Sequence, residues 1–142
     1  MPAMTSTEIV GRINSVCVRL GYQEAVTWVD FDLQPESHID SVYRIPPMSS
    51  QGSRGGFGFY EDRDETIQIW VARKRNGDTY HASQLLADDV HSLTAAVMRD
   101  AHQDSGDYAV TDEGRGHAVE DVPGADYLRM RLTLAINYDA QW

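Results

Sequence analysis

The sequence predicts a single α+β domain with a mostly antiparallel sheet and two helices packed on one face of that sheet. Two segments carry apolar residues at three- and four-residue spacing, which is typical of helices with one buried face. The last segment alternates apolar and polar residues over eleven positions, which indicates a long strand. The length of 142 residues is that of one domain. Runs of strands beside two helices indicate a helix layer that covers an apolar sheet face.

The first helix is predicted over residues 6–20. Thr5 and Glu8 have the Thr-x-x-Glu spacing of a capping box, and Gly21 provides a stop. The apolar stripe consists of Ile9, Ile13, Val16, Cys17 and Leu20. Cys17 is the only cysteine, which excludes an internal disulfide, and its place in the stripe favours a core role.

Several extended segments are predicted between the helices. Residues 27–33 alternate in the manner of a half-buried strand, and a weaker segment at 41–45 runs into two prolines. Residues 57–60 and 65–74 also look extended, and the second of these is rich in β-branched side chains. The charged run at 61–65 is of mixed sign and lies between two extended segments, so it is expected to be an exposed turn. Paired carboxylates there could do acid–base work only if burial separated their pKa values.

Residues 48–58 are predicted to form a flexible loop, because they hold four glycines and three serines without periodicity. A phosphate-binding loop is disfavoured because no Gly-Lys-Ser/Thr follows. Two interpretations stay open. The segment is either a contact arm, with Met48, Phe57 and Phe59 lodged on a neighbouring subunit and Arg54 meeting its acids, or a plain hairpin tip.

The second helix is predicted over residues 79–102, with Asp78 or Thr79 as its cap. The preceding Asn76-Gly77 pair could form a hairpin turn, but the following residues shift to helical spacing. The buried stripe consists of Ala82, Leu86, Val90, Leu93 and Val97. The opposite, polar face is expected to carry Asp88, Asp89, His91, Arg99 and Asp100.

The last third of the chain is predicted to contain three strands. Candidates at 108–111 and 117–122 are separated by a turn at 112–116, and a second turn lies at 123–126. The closing strand has an apolar face of Leu128, Met130, Leu132, Leu134, Ile136 and Tyr138. We expect the stripes of both helices to pack on this face.

No catalytic, cofactor-binding or metal-binding constellation is recognisable. His81, His91 and His102 share the second helix at ten- and eleven-residue spacing, which does not bring metal ligands together. There is no Gly-x-Ser-x-Gly elbow, no His-Glu-x-x-His and no EF-hand pattern. The sequence therefore predicts neither an enzyme nor a bound cofactor or metal.

The charge of the chain limits its partners. Twelve basic residues against 22 acidic ones give a formal charge of −10, which disfavours binding to phosphate backbones. No stretch approaches the ~18 apolar residues of a membrane helix, and residues 1–15 lack the pattern of a signal peptide. The lone thiol suits a reducing cytoplasm. We expect a soluble protein that works by assembling with other proteins.

Tryptophan and arginine residues are the best candidates for contacts in such an assembly, since these types anchor interfaces. Trp70 is expected on the outer face of its strand, and Trp142 is the last residue of the sequence. Either such rings meet a partner or a second layer covers the strands. Arg129 and Arg131, with Asn137, lie on the polar face of the closing strand, where they could meet the acidic surface of a neighbouring copy.

Four segments together resemble the tail-terminator (tail-completion) proteins of long-tailed bacteriophages: TSTEIVGRINSVCVRL, DETIQIWVARK, LLADDVHSLTAAVMRD and YLRMRLTLAINYDAQ. The resemblance covers most of the chain and consists of the order of the elements and the residue pattern of the strands. Residues 48–58 depart from it. It implies a homo-oligomeric, six-fold ring in the virion that stops tail-tube growth and contacts the tail-tube protein and the head–tail connector. DNA would pass through such a ring without specific binding, which fits the acidic charge.

Two other functions stay open. One is a different phage neck or tail protein of similar size, such as a head-completion, tail-tube or minor tail protein. The other is a small metal-dependent cytoplasmic enzyme that uses the carboxylates of residues 61–65. Metal-dependent activity that is lost in Glu61→Ala or Asp64→Ala would identify the enzyme, whereas a homo-oligomeric ring would identify a virion part.

Overall fold

The computed structural model describes residues 4–24, 42–46, 49–54, 60–106, 108–121 and 127–141. The helices are α1 (Ser6–Arg19) and α2 (Thr79–Arg99), and α2 continues into a π-helical segment (Asp100–Ser105). The strands are β1 (Gln23–Glu24), β2 (Val42–Arg44), β3 (Ser49–Arg54), β4 (Tyr60–Lys74), β5 (Ala109–Asp121) and β6 (Tyr127–Gln141). The α+β prediction is confirmed. The strand predicted at 27–33 and the turn predicted at 123–126 lie outside the described residues.

Helix α1 begins as the capping pattern predicts. The Thr5 hydroxyl accepts a hydrogen bond from the Glu8 N–H at 3.2 Å. The predicted stripe is buried except for Leu20, which is 43% exposed because the helix ends at Arg19. Burial raises the pKa of the Cys17 thiol to about 12, as expected of a core cysteine.

Helix α2 follows β4 after a tight turn. Asn76 and Gly77 both have positive φ, at 49° and 75°, so the pair forms a turn into the helix instead of a hairpin. The Asp78 carboxylate caps the helix by accepting from the His81 N–H at 3.0 Å. The predicted stripe is buried, with Val90 partly so. The prediction was wrong for Asp89 and Asp100, which are buried and not on a solvated face.

The sheet has the strand order β1-β2-β4-β6-β5. Strand β3 also pairs with β4, on the same side of β4 as β2: β2 pairs with residues 70–72 and β3 with residues 62–66. Among the described strands, only the short β1–β2 pairing is parallel. Strands β4 and β6 pair along their full lengths, from Tyr60 opposite Gln141 to Lys74 opposite Tyr127. This long ribbon forms the centre of the sheet, and β5 lies at one edge.

Three segments predicted as loops or turns are strand instead. Residues 49–54 form β3, so the flexible loop predicted at 48–58 is wrong over that range. Residues 61–65 lie inside β4, and residues 112–116 lie inside β5, which has a register shift between Thr111 and Gly116. Prediction from local composition was wrong here because the neighbouring long strands supply hydrogen-bonding partners that make these segments extended.

The core fills the space between the helices and one face of the sheet. All six residues of the predicted β6 apolar face are buried, together with Ile67, Ile69 and Val71 of β4. They belong to one cluster with the buried residues of α1 and α2. The predicted packing of both helices on this face is confirmed.

Candidate functional site

The candidate site lies on the outer face of the sheet, which is the face opposite the helices. Because side chains alternate along a strand, β4 and β6 direct every second residue to this face. The register places Trp70 directly between Arg44 of β2 and Arg131 of β6. Arg129 lies one row away on β6, opposite Glu120 of β5. We call these five residues the Arg–Trp cluster.

Three guanidinium groups surround the indole ring of Trp70. The guanidinium carbons of Arg44, Arg129 and Arg131 lie 4.4, 4.9 and 5.8 Å from the ring centroid. These distances are within the range of cation–π attraction, which is worth about 0.5–2 kcal/mol depending on desolvation. The indole N–H donates to the Gln68 side-chain oxygen at 2.9 Å. The ring is therefore held both at its edge and over its face.

Glu120 binds two of the arginines. Its carboxylate accepts from Arg129 Nε at 3.0 Å and lies 2.7 Å from Arg131 Nη2. The hydrogen bond from Arg129 is the main reason why the pKa of Glu120 is lowered. Among the described residues the cluster holds three guanidinium groups and this one carboxylate, so it is a basic patch on an acidic chain.

The cluster changes from buried to open across the sheet. Arg44 is 6% exposed, and its neighbours Val42 and Ala72 are also buried. Trp70 is half-buried, whereas the side chain of Arg131 keeps 40% of its surface exposed. A partner could therefore reach the cluster from the β6 and β5 side.

The structure brings together three of the predicted contact residues, Trp70, Arg129 and Arg131. Arg54 lies in β3, at the opposite edge of the sheet from β5. Met48, Phe57, Phe59 and Trp142 lie outside the described residues.

Sequence reasoning missed Arg44, Gln68 and Glu120. The contacts of Arg44 and Glu120 with the cluster depend on the pairing of β2 with β4 and of β5 with β6. No local pattern reveals such pairings. Asn137, which the sequence suggested could meet a neighbour, donates to Asp64 of its own sheet at 2.8 Å.

Buried polar groups on the helix side bind one another. Asp89 accepts two hydrogen bonds from Arg73, at 2.8 and 2.6 Å, and one from the Tyr22 hydroxyl. Asp100 accepts from the Tyr108 hydroxyl at 2.6 Å and lies 3.6 Å from Arg12. Burial is the main reason why the pKa of each of these tyrosines is raised. The Asp89 contacts tie α2 to β4, and the Asp100 contacts join the end of the second helix to α1 and to the residue before β5, so we assign both a structural role.

The charged run at 61–65 does not converge on one point where the structure describes it. Glu65 is buried on the helix side, where Ser6 of α1 donates to its carboxylate at 3.2 Å. Asp64 is directed to the outer face, where Asn137 donates to it. Within the described ranges, no three His, Cys, Asp or Glu side chains are grouped as metal ligands would be.

No protein-family model matches the sequence, and no curated protein matches it significantly. Among the described residues, no helix is both long and apolar enough to cross a membrane. A preorganised ring, a partly exposed guanidinium and a sheet face that neither α1 nor α2 covers are features of a contact surface.

Proposed function

We propose that this protein is a structural subunit of a bacteriophage tail, of the tail-terminator kind. Its copies assemble into a ring that caps the tail tube and joins it to the head–tail connector. The observation that carries this proposal is the Arg–Trp cluster. A chain with a formal charge of −10 places a basic, aromatic patch on the sheet face opposite α1 and α2. An acidic second copy is a complementary partner for such a patch.

The proposal is supported by the way in which the patch is held. Trp70 and Arg131 lie on the two central strands, whose pairing extends over the whole of both. The Glu120 carboxylate and the Gln68 amide fix the side chains laterally without covering them. Side chains that are already ordered lose less entropy when a partner binds. In this role the protein is not an enzyme, and DNA passes through the acidic ring without specific binding.

Charge reversal at Arg131 tests the proposal. We expect Arg131→Glu to weaken self-association at least tenfold, because the exposed guanidinium becomes a carboxylate that repels an acidic neighbour. Sedimentation velocity and native mass spectrometry at about 0.1 M salt measure the oligomer. The matched control is Arg99→Glu, which makes the same charge change at an exposed position near the end of α2.

Two results would overturn the proposal. One is a purified protein that stays monomeric at all accessible concentrations. The other is an Arg131→Glu variant that assembles as well as the Arg99→Glu control. Negative-stain micrographs then separate a terminator from a tube protein, because a terminator forms single closed rings and a tube protein forms stacks.

A further inference from the structure

Among the described residues, strand β5 forms an edge of the sheet. It pairs with β6 alone, and no strand of the described residues lies beyond it. From Gly116 to Asp121 its register with β6 is regular, and five of these six residues are exposed. The outer N–H and C=O groups of an edge strand are a template for pairing with a further strand.

A groove runs along this edge on the helix side. It has a volume of about 350 Å³ and lies between α2 and β5. Its lining consists of Ala87, Val90, His91, Thr94, Gly116, His117 and Leu132. Val119, opposite the buried Met130, lies on the same side of the sheet and is 45% exposed. An open strand edge beside a groove is the arrangement by which sheets take up an extended segment, since every second side chain of that segment enters the groove.

We infer that this edge receives β3 of a second copy, so that the sheet continues from one subunit to the next. This inference rests on the proposed ring and names the surfaces that build it. Strand β3 is suited to the role because, among the described residues, it pairs with β4 alone and lies at the opposite edge of the sheet. One edge of each copy then meets the other edge of its neighbour, which is the head-to-tail contact that closes rings.

Strand direction agrees with this arrangement. Across the strands β3, β4, β6 and β5, every neighbouring pair is antiparallel, so β3 runs opposite to β5. A second copy rotated about an axis along the strands keeps all its directions. Its β3 therefore meets β5 in the antiparallel sense that continues the pattern.

The charges near the two edges are compatible with β3 of a second copy as the occupant. Strand β3 pairs with the part of β4 from Asp62 to Thr66, which belongs to the acid-rich run of the sequence. Strand β6, which carries Arg129 and Arg131, is next to β5. When β3 of the next copy adds to β5, the order across the contact is β6 and β5 of one copy, then β3 and β4 of the next. The acidic run on β4 of the next copy is then three strand spacings, about 14 Å, from β6 of the first. The guanidinium groups of Arg129 and Arg131 in one subunit and the Asp64 carboxylate of the next then lie on the same face of a continuous sheet.

Cysteine cross-linking tests this contact directly. The single native cysteine, Cys17, is buried with a raised thiol pKa, so it does not compete. We introduce Ala118→Cys into β5 together with Ser49→Cys, Ser50→Cys or Ser53→Cys in β3 and oxidise the assembled protein. A disulfide needs Cα atoms about 4.4–6.8 Å apart, so it reports adjacent strands. We expect at least one pair to give a ladder of covalent oligomers.

The single variant Ala118→Cys is the control, and we expect no cross-link from it. A covalent dimer from that variant alone would mean that two β5 edges pair about a twofold axis, which overturns the inference. An intact oligomer in which none of the three pairs cross-links overturns it as well.

An exposed valine gives an independent test. We expect Val119→Lys to weaken assembly at least tenfold, because an inward-facing lysine on an edge strand obstructs pairing. The matched control is Val18→Lys on α1, where the valine is 54% exposed, and it should assemble normally. If Val119→Lys assembles as well as this control, the edge inference fails while the proposed ring stands. If the unmodified chain never assembles, the ring and the edge inference fail together.

Discussion

The two faces of the sheet use the same strands for different tasks. On the helix side, β6 buries an unbroken apolar row from Leu128 to Tyr138 against α1 and α2. On the outer face, the residues between them are half-buried and polar or charged, except for Ala135. The period-two pattern of one strand thus directs one set of residues to the core and the other to an open surface.

The polar groups of the two faces are also held in different ways. On the helix side, Asp89 and Asp100 bind partners from other layers or segments, such as Arg73 and Tyr108. On the outer face, Arg129 of β6 donates a hydrogen bond to Glu120 of the neighbouring strand β5, within the same layer. Contacts between layers secure the fold, whereas lateral contacts order side chains that a partner can still reach. The helix side should therefore respond to substitution through stability, and the outer face through assembly.

The largest expected effect is in the apolar row. Leu132→Ala should lower the free energy of unfolding by about 2–5 kcal/mol, because Leu132 is 1% exposed and its truncation leaves a cavity. Denaturant unfolding followed by circular dichroism measures the change. Thr133→Ala, one residue along on the outer face, is the control and should cost less than about 1 kcal/mol. A harmless Leu132→Ala would show that β6 presents its other face to the helices.

A smaller but still large effect is expected at a buried charge. Asp89→Ala should lower the free energy of unfolding by about 3 kcal/mol, because it leaves the Arg73 guanidinium and the Tyr22 hydroxyl without their shared acceptor. Its neighbour Asp88 is exposed on the same helix, so Asp88→Ala should stay within about 0.5 kcal/mol. Equal effects of the two substitutions on the free energy of unfolding, measured in the same way, would mean that the buried contacts of Asp89 do not stabilise the helix side.

The sequence could predict whatever depends on local pattern. The cap at Thr5, the stripe of α2 and the alternation of β6 each lie within one segment, and each is confirmed. It could not predict β3, because a serine- and glycine-rich segment becomes a strand only when β4 offers it an edge. It also could not separate Asp88 from Asp89. The second is buried because an arginine of β4 binds it, and that contact joins distant parts of the chain.

The candidate site was predictable in part for the same reason. Trp70, Arg129 and Arg131 could be assigned to polar strand faces one at a time. Their convergence, and the addition of Arg44 and Glu120, requires the register between four strands. Registers are set by the packing of the opposite face and by the length of the connections, neither of which a single segment records.

The smallest expected effect concerns Glu120 and acid. Its pKa is lowered, first by the hydrogen bond from Arg129, so the folded protein keeps this carboxylate charged at a pH where the unfolded chain protonates it. Its contribution to stability is therefore present above the ordinary glutamate pKa of about 4.3. That contribution is lost as the pH falls through the lowered, folded value. It should be below about 1 kcal/mol, because the side chain is 28% exposed and solvent screens the pair.

Carboxyl-carbon NMR measures this pKa directly in the folded protein. Arg129→Gln should move the pKa of Glu120 back toward its ordinary value, because it removes the strongest hydrogen bond to the charged form. Arg131→Gln should move it less, since that guanidinium acts mainly through its charge. Neither substitution should change the free energy of unfolding as much as Asp89→Ala does. If Arg129→Gln leaves the pKa of Glu120 where it was, the lateral contacts do not order the outer face, and preorganisation of the Arg–Trp cluster loses its physical basis.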